Sequence, residues 1–145
     1  MVVVTSGTIC GICGRPLLGA KASAIRHFIR NTRDPLYPFS GRAFHASCFE
    51  AWPEREHAVA VSTERMFRMT SPQTCTVCGE RILDQGCSTD LLTTIRESPL
   101  YRYSYLSFHP EHWSQWPEVR NFERALEEAA RSGLWEGSST VPILG

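Results

Sequence analysis

The chain contains one unit twice, and this internal repeat constrains its fold more than any other feature. Sliding the sequence along itself places Cys10 and Cys13 onto Cys75 and Cys78. At an offset shorter by one, the later stretches align, from Pro35-Leu36-Tyr37 on Pro99-Leu100-Tyr101 to Trp52-Pro53-Glu54 on Trp116-Pro117-Glu118. Matches in the same order at a nearly constant offset indicate two copies of one structural unit. We expect a first copy at residues 1–70, a second copy at 71–135 and a flexible tail at 136–145.

Each copy carries four Cys and His residues in two close pairs. The first copy has the pattern C-x2-C-x31-H-x2-C and the second has C-x2-C-x30-H-x2-H. The eight residues are Cys10, Cys13, His45, Cys48, Cys75, Cys78, His109 and His112. Four sulfur or nitrogen donors in two close pairs are typical of a closed tetrahedral zinc site. The sequence therefore predicts two Zn²⁺ per chain, and it leaves Cys87 as an idle, buried thiol.

Local patterns predict the same order of elements in both copies. Gly14 and Gly79 follow the cysteine pairs and mark tight hairpin turns. The aromatic runs YPFSGRAF and YRYSYLSF favour a strand or a hairpin. The second ligand pair is expected at positions i and i+3 of a helix, which share one face. Each of these helices should end at Trp52 or Trp116, because a residue before proline is disfavoured in the α region.

A second helix is predicted after each Trp-Pro pair. In the second copy, apolar residues recur at helical spacing and Gly133 supplies a stop; they are Val119, Phe122, Leu126 and Ala129. In the first copy the segment AVAVS also fits a strand, and we favour a helix there because its repeat partner is helical. Trp52 and Trp116 are expected to cover the metal sites, whereas Tyr103 and Tyr105 are candidates for an interface.

This order of a cysteine knuckle, a second hairpin and a ligand-bearing helix resembles the treble-clef zinc fingers. The resemblance implies an α+β fold of two tandem zinc-stabilised units, each with short β-hairpins and a C-terminal helix. It implies that the four knuckle ligands are the cysteines of the C-x2-C pairs and that the other four ligands lie on the helices. RING and LIM domains are less similar, since their closely spaced ligands bind two zinc ions per domain, whereas a long stretch without a predicted ligand separates Cys48 from Cys75.

The ligand count argues against catalysis. A catalytic zinc keeps one coordination position open, and both predicted sites are already filled by four protein ligands. His109-Pro110-Glu111 matches the H-x-E of zinc deaminases, but in those enzymes this motif precedes the C-x2-C pair. Treble-clef nucleases of the HNH kind use a further His and Asn near the helix His, which the segment AFHASC lacks. We therefore expect no enzymatic activity.

The formal net charge is zero, but the two copies are oppositely charged. Residues 1–70 hold nine basic and five acidic residues, and residues 71–145 hold six and ten. Basic residues cluster in the first copy at Arg15, Lys21, Arg26, Arg30, Arg33 and Arg42, with Phe28, Tyr37 and Phe39 interleaved. Such a stretch can bind a nucleic acid, or it can complement the acidic second copy.

These charges leave two hypotheses about function. Because overall neutrality removes the long-range field on which most nonspecific nucleic-acid binders rely, we favour a non-catalytic adaptor or regulator that binds a protein partner. The alternative is a nucleic-acid-binding zinc-finger protein that uses the Arg-rich stretch. The sequence has no apolar run long enough to span a membrane, and its first residues lack the features of a signal peptide. We expect a cytoplasmic location with reduced cysteines; the sequence does not indicate an oligomeric state.

Overall fold

Short strands and helices follow one another in the same order in both copies. The computed structural model describes residues 3–137 and 143–144. The first copy contains β1 (Ala22–Ala24), β2 (Ala43–His45), α1 (Ala46–Ala51) and α2 (Arg55–Thr70). The second copy contains β3 (Cys87–Ser88), β4 (Ser107–Phe108) and α3 (Val119–Arg131), and β5 (Ile143–Leu144) follows. Three 3₁₀ helices lie at Tyr37–Phe39, Tyr101–Tyr103 and Pro110–Gln115. This is the predicted α+β fold of two tandem small units.

Each cysteine knuckle is a tight turn closed by a single antiparallel β-bridge. The bridges are Ile9 with Pro16 and Thr74 with Arg81. Gly14 and Gly79 have φ angles of 72° and 75°, in the left-handed region that glycine adopts without a steric penalty. The predicted hairpin turns are therefore present, and one pair of bridged residues closes each of them.

Both aromatic runs end in a strand, one of the two predicted outcomes, but neither run forms a hairpin on its own. Each run starts as a 3₁₀ turn, and only its last residues form a strand, β2 or β4. The partner strands β1 and β3 come from the variable stretch that precedes each run. The hydroxyl groups of Ser40 and Ser104 accept hydrogen bonds from backbone N–H groups of those stretches at 2.9 and 3.2 Å. Each aromatic run is therefore hydrogen-bonded to the stretch that precedes it.

The helices lie where they were predicted, and one differs in type. α1 carries Cys48 and the 3₁₀ helix Pro110–Gln115 carries His112, and both helices end at a tryptophan with extended backbone. The prediction that all four of these ligands lie on helices was wrong for His45, which ends β2, and for His109; each is the residue just before its helix. In the second copy the turn closes with i to i+3 bonds, from His112 N–H to the His109 carbonyl at 2.9 Å. This bond links the two histidines of the pair, and both side chains reach the same donor group. α2 confirms a helix over a strand for the AVAVS segment.

Each copy has an apolar core that includes the buried cysteine of its ligand cluster. Phe28 and Phe44 are fully buried in the first core, and Phe108 and Phe122 in the second. Trp116 lies in the second core, and partly buried Trp52 packs against the first. That these two rings cover the metal sites stays a prediction. Tyr103 is also part of the second core, so the prediction that it is an interface residue was wrong. Its ring is held there by edge contacts with Trp116 and Phe122.

The two copies meet through buried polar side chains of the first. Asn31 and Asp34 are 0% and 3% exposed. The Asn31 amide donates to two carbonyl groups of the second copy at 3.1 and 2.9 Å. The Asp34 carboxylate accepts hydrogen bonds from the hydroxyl groups of Thr93 and Thr94 and from the Thr94 N–H. The polar groups that are buried here are therefore paired across the junction, which removes the usual cost of burying them.

A salt bridge and an apolar side chain complete this junction. The guanidinium of Arg65 makes two bonds to the buried carboxylate of Asp90, at 2.8 and 2.7 Å. Leu91 is buried in the first core although it belongs to the second copy, and Tyr105 packs against the same core. The division of the chain at residue 70 stays a prediction, although α2 ends at that residue.

The last segment lies only partly within the described residues. The predicted flexibility of the tail falls mostly outside them. Of that tail, Glu136 accepts a hydrogen bond from Thr32 N–H through its carbonyl, and β5 pairs antiparallel with β3. In the part of the chain that the structure describes, no helix combines the length and the apolar character needed to cross a bilayer.

Candidate metal centres

The fold brings the eight predicted ligand residues together as two groups of four. Within each group, one donor atom per residue lies within 4.8 Å of all the others. The groups are Cys10, Cys13, His45 and Cys48 in the first copy, and Cys75, Cys78, His109 and His112 in the second. In both groups the knuckle supplies one buried and one exposed cysteine, and the second pair is partly buried. Each group can hold a metal ion.

The separations between donor atoms fit a tetrahedral site. Metal–sulfur bonds of about 2.3 Å and metal–nitrogen bonds of about 2.0 Å require sulfur and nitrogen atoms about 3.6 Å apart at tetrahedral angles. In the first group, the Sγ atoms of Cys13 and Cys48 lie 3.3 and 3.9 Å from His45 Nδ1. In the second group, Cys75 Sγ lies 3.6 Å from His112 Nδ1 and Cys78 Sγ lies 3.5 Å from His109 Nδ1. An ion of this size can therefore enter either group with little rearrangement.

The buried knuckle cysteines, Cys10 and Cys75, have lowered pKa values and ionise readily. Burial raises the pKa of Cys10 and of Cys75, but the backbone N–H groups around each sulfur outweigh it and bring both pKa values to about 6. One such group is the N–H of His45, 3.4 Å from Cys10 Sγ, and the N–H of His109 lies at the same distance from Cys75 Sγ. Thiolates, and not thiols, are the form that binds metals, so the knuckles favour metal binding near neutral pH.

The other two cysteines of the first group have opposite pKa shifts. Hydrogen bonds from the backbone and side chain of Arg15 lower the pKa of Cys13. Burial, together with the neighbouring sulfur atoms of Cys13 and Cys10, raises the pKa of Cys48 to about 11. Three thiolates cannot share this small volume without a compensating cation, because their charges repel one another. A divalent metal ion bound here would supply that compensation.

His45 is oriented by a second contact outside its group. Its Nε2 lies 3.0 Å from the carbonyl oxygen of Pro16, which can only accept a hydrogen bond. Nε2–H is therefore the donor, and Nδ1 is left with a free lone pair that faces the sulfur atoms. Contacts of this kind fix the tautomer and the ring orientation of metal-binding histidines. The contact also joins the knuckle hairpin to the end of β2.

Cys87 lies outside both groups, as predicted. It is 2% exposed, and its Sγ–H donates to the carbonyl of Phe108 at 3.6 Å. Burial raises its pKa, so this thiol stays protonated at neutral pH. Its surroundings are those of a structural cysteine.

The six clustered basic residues of the first copy are all exposed, and two of them contact carboxylates of the same chain. Arg30 lies 3.9 Å from Asp90, and Arg33 lies 2.7 Å from Glu136. Both partners belong to the second copy or its tail, which fits the predicted complement between oppositely charged copies. Phe28, one of the three aromatic residues predicted to stack on bases, is 1% exposed inside the first core. It cannot take part in stacking.

Sequence reasoning considered a charge complement between the copies, but it missed the buried polar centre of their junction and the groove beside it. The groove has a volume of about 470 Å³ and includes Phe39, Trp52 and Glu54 of the first copy and Ile95 and Glu97 of the second. The available signal was that Asn31 and Asp34 have no identical partner in the second copy, where Ile95 and Ser98 occupy their positions. Positions that differ between copies of a repeat are where the copies can contact each other asymmetrically.

No protein-family model matches this chain, and no curated protein or solved structure matches it either.

Proposed function

We propose that this chain is a zinc-binding protein made of two tandem treble-clef-like units with one Zn²⁺ in each. The observation that carries the proposal is the pair of four-donor groups, whose donor atoms lie within 4.8 Å of one another. Thiolate and imidazole donors favour zinc over magnesium or calcium, which prefer oxygen. Four protein donors per site are typical of structural zinc.

The metal has a structural role in this proposal. The strands of both copies are two or three residues long, and the knuckle hairpins close with one bridge each. A core in a unit of this size rarely contributes more than about 3–5 kcal/mol of stability. Zinc binding to structural sites contributes on the order of 10–16 kcal/mol, so it dominates the folding free energy of each copy.

The chain is non-catalytic in this proposal. Four protein donors leave no position for a metal-bound water, which is the group that zinc hydrolases and deaminases use. Glu111, the residue that resembles a deaminase glutamate, is exposed and lies outside the second donor group. We assign the chain the role of an adaptor or regulator that binds a protein partner.

A protein partner fits the surface better than a nucleic acid does. Two of the six basic side chains, Arg30 and Arg33, already contact carboxylates of the same chain. Phe28 is buried, and the net charge of zero provides no long-range attraction for phosphates. The nucleic-acid alternative rests on the exposure of Arg15, Lys21, Arg26 and Arg42.

Metal content measured on purified protein tests the first part of the proposal. Native mass spectrometry and elemental analysis should find two zinc ions per chain. Cys87→Ala should keep both ions because this thiol lies outside the donor groups, whereas Cys75→Ser combined with Cys78→Ser should keep one. A wild-type content of one ion or none would contradict the tandem-site proposal.

Salt dependence separates the two partner hypotheses. A nucleic-acid binder that contacts several phosphates loses affinity by orders of magnitude between about 50 and 200 mM salt. We expect no such salt-dependent retention on single- or double-stranded DNA or RNA. Retention that Arg26→Ala and Arg42→Ala weaken would favour the alternative instead.

A further inference from the structure

The groove between the copies joins an aromatic pair to two carboxylates. The rings of Phe39 and Trp52 pack against each other with their centroids 4.5 Å apart. Glu54 of the first copy and Glu97 of the second copy both line this groove. Among the residues that the structure describes, no Lys or Arg lines the groove. His57, whose Nδ1 lies 3.5 Å from Glu54, is the other titratable residue in the lining.

The second copy shows what occupies the equivalent position. The repeat alignment places Phe39, Trp52 and Glu54 onto Tyr103, Trp116 and Glu118. There the guanidinium of Arg102 lies over the Tyr103 ring, 4.9 Å from its centroid, and bonds to Glu118 at 3.0 Å. The aromatic ring and the carboxylate of the second copy are thus satisfied by an arginine of the same chain.

The first copy lacks this arginine. Pro38 stands at the position of Arg102 in the same repeat alignment. Proline carries neither a charge nor a hydrogen-bond donor, so the aromatic ring and the carboxylate of the first copy have no cation from the equivalent 3₁₀ helix. The groove outside them is open, and Ile95, which is 36% exposed, offers an apolar contact beside it.

We propose that this groove binds an arginine side chain of a protein partner, in the position that Arg102 fills in the second copy. The guanidinium lies against the Phe39–Trp52 pair and bonds to Glu54, and Glu97 faces it from the other side of the groove. Arginine fits better than lysine, because its planar fork pairs with a carboxylate while its face stacks on an aromatic ring. A residue next to that arginine packs on Ile95.

This inference rests on the proposed adaptor function and names the site at which that function is exerted. It also explains why the junction between the copies matters: one wall of the groove comes from each copy. A single copy would offer the aromatic pair and Glu54 without Ile95 and Glu97.

The test uses the zinc-loaded full chain and a small arginine probe. N-acetyl-arginine amide, titrated into ¹⁵N-labelled protein, should shift the indole N–H resonance of Trp52 with a dissociation constant of roughly millimolar order. N-acetyl-lysine amide should bind several-fold more weakly. N-acetyl-citrulline amide, which has nearly the same shape without the charge, should produce no saturable shift. Equal shifts with arginine and citrulline would overturn the proposal.

Pro38→Arg is the decisive variant. It restores in the first copy the arginine that the second copy carries in the same 3₁₀ turn, so the groove is filled from within and the probe should no longer bind. Glu54→Gln should weaken probe binding by about fivefold or more, as the loss of a charged partner predicts. The matched control, Glu118→Gln, changes the equivalent residue of the second copy and should leave probe binding unchanged. Zinc content and circular dichroism report whether each variant is folded.

Results with the natural partner distinguish this inference from the adaptor proposal. A purified protein partner that binds wild type and folded Pro38→Arg equally well would overturn the groove proposal and leave the adaptor function intact. Probe binding that Pro38→Arg abolishes would support the groove even if no protein partner exists, a result that would count against the adaptor function. A dimer of the chain that Pro38→Arg dissociates would show that a second copy fills the groove, and it would overturn the proposal.

Discussion

Tyr105 makes a contact between the copies from a strained backbone conformation. Its repeat equivalent is Gly41, and both have left-handed backbones, with φ angles of 64° and 70°. Glycine adopts this conformation freely, whereas a tyrosine there costs about 1–2 kcal/mol. In return, the Tyr105 ring packs against the first core, and the Arg68 guanidinium lies 5.1 Å from its centroid. The side chain joins the copies at a position where the backbone alone would favour glycine.

The hydroxyl group of Tyr105 is buried without a hydrogen-bond partner, and this leads to a prediction. Burial raises the pKa of Tyr105, so the hydroxyl group stays neutral near pH 7. Tyr105→Phe removes the unpaired hydroxyl and keeps the ring, so it should raise the free energy of unfolding by about 1 kcal/mol. Chemical denaturation of the zinc-loaded protein measures this change. Tyr37→Phe, at an exposed tyrosine, is the control and should have no effect; a destabilised Tyr105→Phe variant would reveal a missing partner.

At the scale of elements, the sequence predicted what depends on local spacing. The ligand pairs, the glycine turns and the ends of the helices at Trp52 and Trp116 follow from residues close together in the chain. The pairing of β1 with β2 could not be predicted in this way, since it joins segments that are distant in the chain and both strands are only three residues long. The 3₁₀ type of Pro110–Gln115 is also outside what the ligand spacing can decide, because both helix types place i and i+3 close together.

The short elements imply that chelation dismantles the fold. Strands of two or three residues and a six-residue α1 have no stability of their own, and helices of 13 and 16 residues are marginal in isolation. Removing zinc with a strong chelator should abolish the near-ultraviolet circular dichroism of the tryptophans and the cooperative thermal transition. Backbone amides of β1 and β2 should lose their protection from hydrogen exchange. A cooperative transition that persists after complete zinc removal would contradict a structural role of the metal.

At the scale of the whole molecule, the zero net charge is the sum of two opposite halves that face each other. Arg65 with Asp90, Arg30 with Asp90 and Arg33 with Glu136 all link the basic first copy to the acidic second copy or its tail. The sequence predicted this complement as one alternative. It could not identify Asn31 and Asp34 as the buried centre of the junction, because a turn with polar residues looks the same whether it faces solvent or another copy. Their role depends on burial, which only the assembled fold determines.

Asp34 provides the prediction for the junction. Replacing it with alanine leaves the Thr93 and Thr94 hydroxyl groups and the Thr94 N–H without their acceptor in a buried place, which should cost about 3 kcal/mol. Because these donors belong to the other copy, the loss should also uncouple the copies.

We expect wild-type protein to unfold in one thermal transition and Asp34→Ala to unfold in two, while both zinc ions stay bound at low temperature. Asp84→Ala, which removes an exposed carboxylate of the second copy, is the matched control and should behave as wild type. Two separate transitions in the wild-type protein would show instead that each zinc site stabilises its copy independently, and that the buried polar contacts between the copies contribute little to folding.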